Sequence, residues 1–506
     1  MRTAKSFFVP ICSIAFFWGC GSLPLHAQMQ KSVEITVDWT QLRTPLQTTP
    51  TLQVVVNPML RRGSPIHDAA FQSLHNFGGD YVRYVPWLPY PKLAVAELGP
   101  PEAGKTSWDF SLIDPMTEDF ISATQGHSVI LNFSTIPAWM FQTNKPVTYP
   151  QDPNAVDWNY TQGTELRDPT MHELADYYAR LVGWYARGGF TDELGAHHES
   201  GHHYKIAYWE VFNEVDIEHA MTAKQYTERY DAVVAAIHKV DPDIKFVGLA
   251  LAFPSTHPEM FEYFLNHANH RAGIPLDMIS YHFYATPTPE QTIDHWQYTF
   301  FDQADKFLAT VRYIEAIRKR LSPETRTTLD EIGTILPTDW HPNHPNAAGP
   351  SISSAYWNAS GALYAYVFVE TAKLGIDVLG ESQLVGYPSQ FPSVTMVDSN
   401  TGKPNARMRV LELIHQNFSS GGTLVSTKIP TSDVDAQAFT TSTGKKLLLV
   451  NKRNRAIAVA LPKEFANSHA AIVDVTTGAR APAATLQSKR QLTLQPFAVC
   501  VLTAQP

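Results

Sequence analysis

Cysteine is nearly absent from this chain: three stand among 506 residues. Cys12 and Cys20 lie in an apolar N-terminal stretch, and Cys500 lies near the other end. Once that stretch is removed, Cys500 has no partner within the chain, so an internal disulfide is excluded. The fold must therefore rely on its hydrophobic core, and a chain that is 44% hydrophobic can bury a large one.

Charged residues are also sparse, at 17% of the chain, and the net charge is −9. Nucleic acids and anionic membranes need a concentrated positive surface, and no long run of lysine and arginine occurs. We therefore expect neither as a partner. Glycine-containing pieces such as residues 348–351 lack the spacing of a phosphate-binding loop, so a nucleotide cofactor is not expected either.

Long hydrophobic runs are missing except at the N-terminus. Arg2 and Lys5 precede the one that is present, and Ala27 offers a small residue for cleavage, which is typical of an export signal. We predict a signal peptide over residues 1–27 and a periplasmic or secreted protein. Lipid attachment at Cys20 is the alternative, and it is the one route by which we expect contact with a membrane.

Strand and helix patterns alternate through the centre of the chain, which is typical of a parallel α/β fold. Eight strand-like runs occur there, and this number favours a closed (β/α)8 TIM barrel over an open sheet. We predict that the barrel spans residues 51–420. The runs are 51–58, 80–87, 127–134, 204–216, 244–250, 277–285, 325–333 and 376–382.

The pattern changes after the barrel. Residues 421–506 contain short alternating runs at close intervals with no helical period, which predicts an accessory antiparallel β-sandwich built mainly from the C-terminus. The run 31–41 alternates in the same way. We therefore expect residues 28–50 to supply an N-terminal strand to this sandwich.

Two glutamates stand at equivalent places in the barrel pattern. Glu214 lies near the end of the fourth run and Glu331 near the end of the seventh, three strand-and-helix units apart at about 39 residues each. The carboxyl ends of barrel strands meet at one face, where the active sites of such barrels lie. Two carboxyl groups facing each other there are what cleavage of a glycosidic bond requires, which predicts a glycosidase without a cofactor or metal.

The two acids need different environments. With retention of configuration, Glu214 is the acid/base and Glu331 the nucleophile, and the charge of Glu331 raises the pKa of Glu214. Arg83 and Tyr284 are the candidate donors that keep Glu331 ionised. Asn213 is placed to donate to the sugar 2-hydroxyl.

These motifs resemble glycoside hydrolase family 39, the β-xylosidases and α-L-iduronidases of clan A. WEVFNEVD (209–216) is similar to the family's strand-4 motif, LDEIG (329–333) to its strand-7 motif, SYHFYAT (280–286) to its strand-6 tip and YVRYVPW (81–87) to its strand 2. The resemblance implies a barrel with a sandwich, Glu214 as acid/base and Glu331 as nucleophile. It also implies that Arg83, Asn213, His282 and Tyr284 surround the sugar.

The chain departs from the family at the innermost sugar subsite. Val85 and Pro86 stand where the xylosidases have a histidine, and Leu379 to Ser382 replace a tryptophan and paired acids. Glu381 in that segment is a candidate substrate contact, but the identity of the sugar does not carry over.

Aromatic and histidine-rich segments admit two readings. Trp87 and Trp139 follow strands 2 and 3, so each is either a stacking platform for a sugar or a packed loop residue. The segment HHESGHH (197–203) suits a metal, but it precedes strand 4 and so falls on the face away from the strand tips, where a solvated loop is favoured. His341 and His344 follow strand 7 and are candidates for lining or covering the pocket.

The leading hypothesis is a retaining exo-glycosidase acting on oligosaccharide or polysaccharide fragments, of which a β-xylosidase-like activity is one form. Long segments after strands 2, 3 and 7 favour a pocket over an open cleft. An endo-acting xylanase or glucanase and a catalytically inactive carbohydrate-binding barrel are the alternatives. The sequence does not indicate an oligomeric state.

Overall fold

A computed structural model describes residues 32–158, 163–340, 352–418 and 421–505. The expected signal peptide with Cys20, and the histidines His341 and His344, lie outside the described residues. Within them the strands are β1 (Val33–Glu34), β2 (Thr36–Pro45), β3 (Thr49–Val55), β4 (Val82–Val85), β5 (Val129–Leu131), β6 (Gly189–Thr191), β7 (His197–Glu199), β8 (Tyr208–Glu210), β9 (Lys245–Leu251), β10 (Met278–Ala285), β11 (Arg326–Thr334), β12 (Val378–Glu381), β13 (Thr423–Lys428), β14 (Val434–Thr441), β15 (Gly444–Asn451), β16 (Ile457–Ala460), β17 (Ser468–Val473), β18 (Thr485–Gln487), β19 (Gln491–Leu494) and β20 (Val499–Ala504).

The helices in the same part of the chain lie mostly between the barrel strands. They are α1 (His67–Phe77), α2 (Asp114–Ala123), α3 (His172–Ala186), α4 (Ala223–Val240), α5 (Pro258–Phe264), α6 (Ile293–Leu321), α7 (Ser354–Leu374) and α8 (Ala406–Phe418). None of the helices within the described residues combines the length and the apolar character needed to cross a bilayer.

Eight parallel strands close into a barrel in the order β3, β4, β5, β8, β9, β10, β11, β12, and β12 pairs with β3 to complete the ring. Each strand overlaps one of the eight predicted runs, although β3, β9 and β11 extend one or two residues beyond theirs, and the predicted fold class is confirmed. Their side chains are buried on both faces, because the helices cover the outside and side chains fill the inside. Runs such as FVGLAL in β9 are therefore continuously apolar.

The helix boundaries follow local capping signals. Thr222 and Gln225 form a reciprocal capping box at the start of α4, and α7 ends at Gly375, whose φ of 75° suits glycine. The sequence pattern predicts helices from Ser64 onward and at 111–126, 172–189, 224–240, 301–321 and 355–375. The short helix α5 and the helix α8 have no counterpart among them, and α6 begins earlier than its predicted run, at Ile293, directly after the cap residue Thr292.

The second layer of the molecule is a pair of facing sheets. The larger sheet has the order β18, β17, β20, β15, β14, β13, β2, and the smaller has the order β1, β16, β19. Apolar side chains of both sheets, such as Leu447 and Val459, share one core. The N-terminal segment enters both sheets, because β1 pairs with β16 and β2 pairs with β13.

The larger sheet is covered on both faces. Its other face packs on the last two barrel helices and shares the barrel core, with Phe439 of β14 against Phe418 of α8 at a ring-centroid distance of 4.5 Å. Cys500 of β20 is buried as a free thiol. Barrel and sandwich are therefore joined through an apolar interface.

Candidate active site

A cavity of about 590 Å³ opens at the carboxyl ends of the barrel strands. Glu214, His282, Tyr284 and Glu331 all line it, as do Asn213 and Trp87. Six of the nine residues predicted from the sequence for the site are therefore brought together around one cavity.

Glu214 lies where the fourth barrel strand gives way to a strained turn. The strand β8 ends at Glu210, and the chain then passes through Phe212 with φ 68° and Glu214 with φ 43°. These left-handed conformations are costly for residues other than glycine, and such strain concentrates at functional sites. The backbone N–H of Glu214 donates to the carbonyl of Ala250 (2.8 Å), which fixes the turn against the next strand.

Glu331 lies inside β11 and is held by two donors. The guanidinium of Arg83 donates to its Oε1 (2.5 Å), and the hydroxyl of Tyr284 donates to its Oε2 (2.7 Å). Burial favours the neutral acid, but the nearby charges of His282 and Arg83 and these hydrogen bonds outweigh it and lower the pKa of Glu331. Glu331 is therefore ionised at neutral pH.

The carboxyl groups of Glu214 and Glu331 face each other, with one oxygen of each within 4.8 Å of the other. Burial raises the pKa of Glu214, and the charge of Glu331 adds to the effect against an opposing contact with His282. Neighbouring carboxyl groups with pKa values pushed in opposite directions are the arrangement expected of an acid and a nucleophile.

His282 lies between the two acids. Its Nδ1 is 3.1 Å from Glu214 Oε1 and 3.6 Å from Glu331 Oε2. Burial favours the neutral ring, but the surrounding carboxylates, Glu331 first, raise the pKa of His282 to about 9. The imidazole is therefore protonated at neutral pH and balances the charge of Glu331.

A second group of acids lies beneath the pocket floor. Glu210 of β8 pairs with Arg83, and Asp330 of β11 lies 3.1 Å from the Nε of the same guanidinium. Burial and the charge of Glu210 raise the pKa of Asp330 well above its ordinary value, whereas Arg83 lowers that of Glu210 despite burial. With Glu210 and Glu331 ionised and Asp330 protonated, the buried cations and anions balance.

Neither Glu210 nor Asp330 was predicted for the site. The signal was present in the sequence, because each is an acid inside an apolar strand, WEV for Glu210 and TLD for Asp330. A carboxyl group in such a place is costly unless a cation is close; Arg83 is close to both acids, and His282 is close to Asp330.

The prediction that Arg83 contacts substrate is wrong, because its side chain is buried below the cavity. Its side chain is 1% exposed and every nitrogen points to a protein acceptor, including Gln53 (2.8 Å) and Asn213 (2.7 Å). Arg83 thus holds Glu331 and Asn213 from below and does not line the cavity.

The prediction that Glu381 contacts substrate is also wrong, because its side chain faces away from the cavity. Glu381 is fully buried against α8, where it pairs with Arg407 (2.9 Å), while the next residue, Ser382, lines the cavity. The Ser382 hydroxyl lies 2.6 Å from the hydroxyl of Tyr284. Adjacent residues on a strand face opposite sides, so a shift of one position decides which reaches the pocket.

Trp139 also lies away from the cavity. Its indole donates to the carbonyl of Glu97 (2.9 Å), and the guanidinium of Arg167 stacks 4.3 Å from the centre of its ring. Of the two interpretations of Trp139, a sugar-stacking platform or a packed loop residue, the second is therefore the one observed.

Trp87 instead forms part of an aromatic wall with Trp158 and Phe391, two residues that were not predicted. The ring centroids of Trp87 and Trp158 are 5.4 Å apart, and those of Trp158 and Phe391 are 5.9 Å apart. The three side chains come from the loops after β4, β5 and β12 and line one side of the cavity. They are separated too widely in sequence for a local pattern to reveal them.

Glu218 is a further acid of the pocket that was not predicted. It lines the cavity, and its Oε1 accepts hydrogen bonds from Trp87 (2.6 Å) and Asn213 (2.9 Å). Glu218 is four residues after Glu214 in the chain. The segment has no helical pattern in the sequence, so the sequence does not predict that both side chains line the same part of the cavity.

The histidine-rich segment 197–203 forms β7 and the turn after it, and β7 pairs with β6. His198 contacts Asp192 (2.9 Å), and His202 stacks on Tyr185. These histidines contact protein groups in the connection between α3 and β8. This connection lies on the barrel face opposite the carboxyl ends of the strands.

Glu214, His282 and Glu331 are the group within the described residues whose ligand-type atoms come close enough together to hold a metal ion. A protonated imidazole has no free lone pair for a metal, and the raised pKa of His282 favours that form. The donor set therefore fits an acid pair with a cationic neighbour better than a metal centre.

Comparison with known proteins agrees with this geometry. The profile of glycosyl hydrolases family 39 matches residues 199–353, and that of the C-terminal immunoglobulin-like domain of D-apionate lactonase matches residues 431–502. No curated protein matches the chain by sequence. The first profile contains both facing glutamates, whereas the second covers sandwich residues only.

Solved glycosidase structures share the fold over nearly the whole chain. An arabinofuranosidase of glycoside hydrolase family 51 from Xanthomonas axonopodis pv. citri superposes with a TM-score of 0.62 at 13% identity, covering 94% of this chain and 100% of its own. A glucosidase from Croceicoccus marinus gives 0.58 at 14%, covering 93% and 98%. An endoxylanase of family 30 from Clostridium papyrosolvens gives 0.55 at 12%, covering 94% and 100%.

The closed barrel, the paired acids and the match to glycosyl hydrolases family 39 over residues 199–353 together indicate a glycosidase. That match covers less than half of the chain and is a resemblance of the segment that carries the two glutamates. The structural neighbours are named for different sugars, so their likeness extends to the fold and not to a particular substrate.

Proposed function

We propose that the protein is a retaining exo-glycosidase in which Glu331 is the nucleophile and Glu214 the acid/base. The observation that carries the proposal is the pair itself: facing oxygens within 4.8 Å, with the pKa of one acid lowered and that of the other raised. Retaining enzymes hold their two carboxyl groups about 5–5.5 Å apart, whereas inverting enzymes leave room for a water between them.

The reaction proceeds in two displacements. In the first, the carboxylate of Glu331 forms a bond to the anomeric carbon while the glycosidic bond breaks and the proton of Glu214 passes to the departing oxygen. In the second, Glu214 takes a proton from water, the water oxygen bonds to the anomeric carbon, and Glu331 leaves as a carboxylate. Esterification of Glu331 removes its charge, which lowers the pKa of Glu214 between the two steps and turns the acid into a base.

The surrounding residues support each charge state. Arg83, Tyr284 and His282 stabilise the ionised Glu331 before attack and after release. Asn213 lines the cavity beside Glu214 and has an amide hydrogen in addition to the one it donates to Glu218. That second hydrogen suits a bond to the sugar 2-hydroxyl, which strengthens in the transition state.

Exo action is supported by the aromatic wall. Trp87, Trp158 and Phe391 contact one another, and the indole of Trp158 also donates to the carbonyl of Ser389 (3.2 Å). Loops linked in this way block one end of a cleft, so a chain end enters more readily than the middle of a polymer. A β-xylosidase-like activity is one form of this proposal.

We further propose that the enzyme acts outside the cytoplasm, since the pattern over residues 1–27 is that of an export signal with Cys20 as the alternative lipid-attachment site.

A panel of aryl glycosides with different sugars and both anomeric configurations tests the proposed function. We expect one or a few to be cleaved, with the first-formed product keeping the configuration of the substrate by NMR. Activity unchanged by a chelator supports the metal-free mechanism. A product of inverted configuration contradicts the assigned roles.

Two other outcomes decide between the alternatives. Cleavage of an internally labelled polymer faster than of any aryl monosaccharide favours an endo-acting enzyme. Binding of sugars by calorimetry without cleavage of any glycoside favours an inactive carbohydrate-binding barrel.

A further inference from the structure

Glu218 places a third carboxyl group on the wall of a cavity that already holds Glu214 and Glu331. Burial, and then the charge of Glu214, raise the pKa of Glu218 to about 8. Its Oε2 is buried and has no hydrogen-bond partner. A carboxyl group in such a setting is costly, and the two-step reaction described above does not use it.

The orientation of Asn213 is set by Arg83 and Glu218 together. Arginine can only donate hydrogen bonds, so the contact with Arg83 (2.7 Å) requires the oxygen of the Asn213 amide to face Arg83. The amide nitrogen must then face the other way, where Glu218 Oε1 accepts from it at 2.9 Å. Asn213 is thus held between a donor on one side and an acceptor on the other.

The same oxygen of Glu218 fixes Trp87. The indole Nε1 donates to it at 2.6 Å, which orients one ring of the aromatic wall. The turn between the two acids is also tight, because the backbone N–H of Glu218 donates to the carbonyl of Glu214 (2.7 Å). One side chain therefore connects the acid/base turn, the amide beside it and the aromatic platform.

We propose that Glu218 is a positioning residue that directs the amide of Asn213 toward the sugar hydroxyl next to the reacting carbon, and the indole of Trp87 toward the sugar ring. The inference rests on the proposed function and deepens it. It predicts that removing the acceptor at residue 218 harms catalysis chiefly when the substrate carries that hydroxyl, with a smaller loss through Trp87 on any substrate.

The test compares Glu218→Met and Glu218→Gln with the wild-type enzyme. Methionine fills the same volume without an acceptor, whereas glutamine keeps an oxygen that accepts from Asn213 and Trp87. Each is assayed on the best aryl glycoside of the panel and on its 2-deoxy counterpart. Thermal unfolding of all three proteins is followed in parallel.

We expect Glu218→Met to lower kcat/KM about 10- to 100-fold on the parent glycoside, the loss that one misdirected hydrogen bond accounts for, chiefly through kcat. On the 2-deoxy glycoside the loss is expected to stay below about 3-fold, since the hydroxyl is absent. Glu218→Gln is expected to remain within about 5-fold of wild type on both substrates.

Equal losses of Glu218→Met on the two substrates overturn the inference, because a merely structural role does not distinguish them. A Glu218→Gln enzyme as impaired as Glu218→Met also overturns it, since the acceptor is then not what matters. If the wild-type enzyme cleaves no glycoside of the panel, the proposed function itself fails; an active wild type with an unimpaired Glu218→Met contradicts only the role of Glu218.

Discussion

Glu214 and Glu331 carry the same carboxyl group, and their different charge states come from what lies within a few ångströms. Glu331 accepts from Arg83 and Tyr284, while the carboxyl group of Glu214 contacts one cation, His282, and faces the negative charge of Glu331. The same reasoning explains why Glu210 and Asp330 can lie side by side under the pocket. At the scale of single residues, the hydrogen-bond donors and charges around each carboxyl group determine whether it is ionised, and therefore its role.

Substitution of the acid/base separates its two roles. Glu214→Ala removes the proton donor, so hydrolysis of substrates with poor leaving groups should fall by about 10²- to 10⁴-fold. Substrates with an activated phenol need no proton and should still form the glycosyl-enzyme. Azide should then accelerate turnover and yield a glycosyl azide of the substrate's own configuration, measured by NMR. Glu331→Gln serves as the control, for which azide gives no such rescue.

His282 should contribute an alkaline limb near pH 9 to the activity, in addition to the loss of the proton of Glu214. Its pKa of about 9 means that the cation beside Glu331 is lost as the pH rises through this value. The raised pKa also contributes to the free energy of unfolding; this contribution is fully present below about pH 6.5 and disappears above the folded-state pKa. His282→Gln should lower kcat/KM by about 10- to 100-fold near neutral pH and abolish the limb near pH 9. A pH profile whose alkaline limb is identical in the variant would show that another group is responsible.

At the scale of elements, the barrel strands were predictable because each is a short apolar run between turn signals. Glu214 and Glu331 could be located for the same reason, since each ends or interrupts such a run. Which side of β12 faces the cavity was not predictable, and Glu381 was chosen where Ser382 lines the pocket. The start of α6 was missed because its first turns are aromatic-rich and their stability comes from packing, as for Trp296 on Phe300.

The pocket residues that come from loops lay beyond prediction. Trp158 and Phe391 pack against each other on one side of the cavity although more than two hundred residues separate them in the chain. Trp139 was as good a candidate as Trp87 on sequence grounds, and only the paths of the loops distinguish them. Glu218 is set apart by its hydrogen-bond partners and not by any local pattern.

Gly380 in β12 should tolerate no side chain. A methyl group there would lie 2.8 Å from the carbonyl oxygen of Asp330, which belongs to the strand that carries Glu331. Gly380→Ala should therefore cost about 1–3 kcal/mol of unfolding free energy and lower kcat about 10-fold or more by displacing Glu331. Denaturant unfolding and initial rates measure both effects. Gly99→Ala is the matched control, since a methyl group there meets only an ordinary contact at 3.7 Å.

At the scale of the whole molecule, the larger sheet of the sandwich serves two cores. One face packs on the smaller sheet and the other on the barrel helices α7 and α8. An apolar interface of this kind couples the stabilities of the two parts. We therefore expect barrel and sandwich to unfold in one calorimetric transition.

Phe439 tests this coupling, because it is fully buried on the face toward α8. Phe439→Ala should lower the free energy of unfolding by about 3–5 kcal/mol and shift a single transition without splitting it. Leu486→Ala, at a side chain that is 60% exposed in the same sheet, should change the stability by less than about 0.5 kcal/mol. Two separate transitions in the Phe439 variant would show that the parts unfold independently.

The pairing of β2 with β13 has a consequence for biosynthesis. Thr36 to Pro45 leave the ribosome early, but the segment they bond to, Thr423 to Lys428, is made only after the entire barrel. For most of translation this strand has an open edge with unsatisfied backbone groups, and such edges invite self-association. A nascent chain that stalls before residue 423 therefore leaves both edges of β2 unpaired, whereas in the finished protein β13 pairs with one edge of β2, which is the outermost strand of the larger sheet.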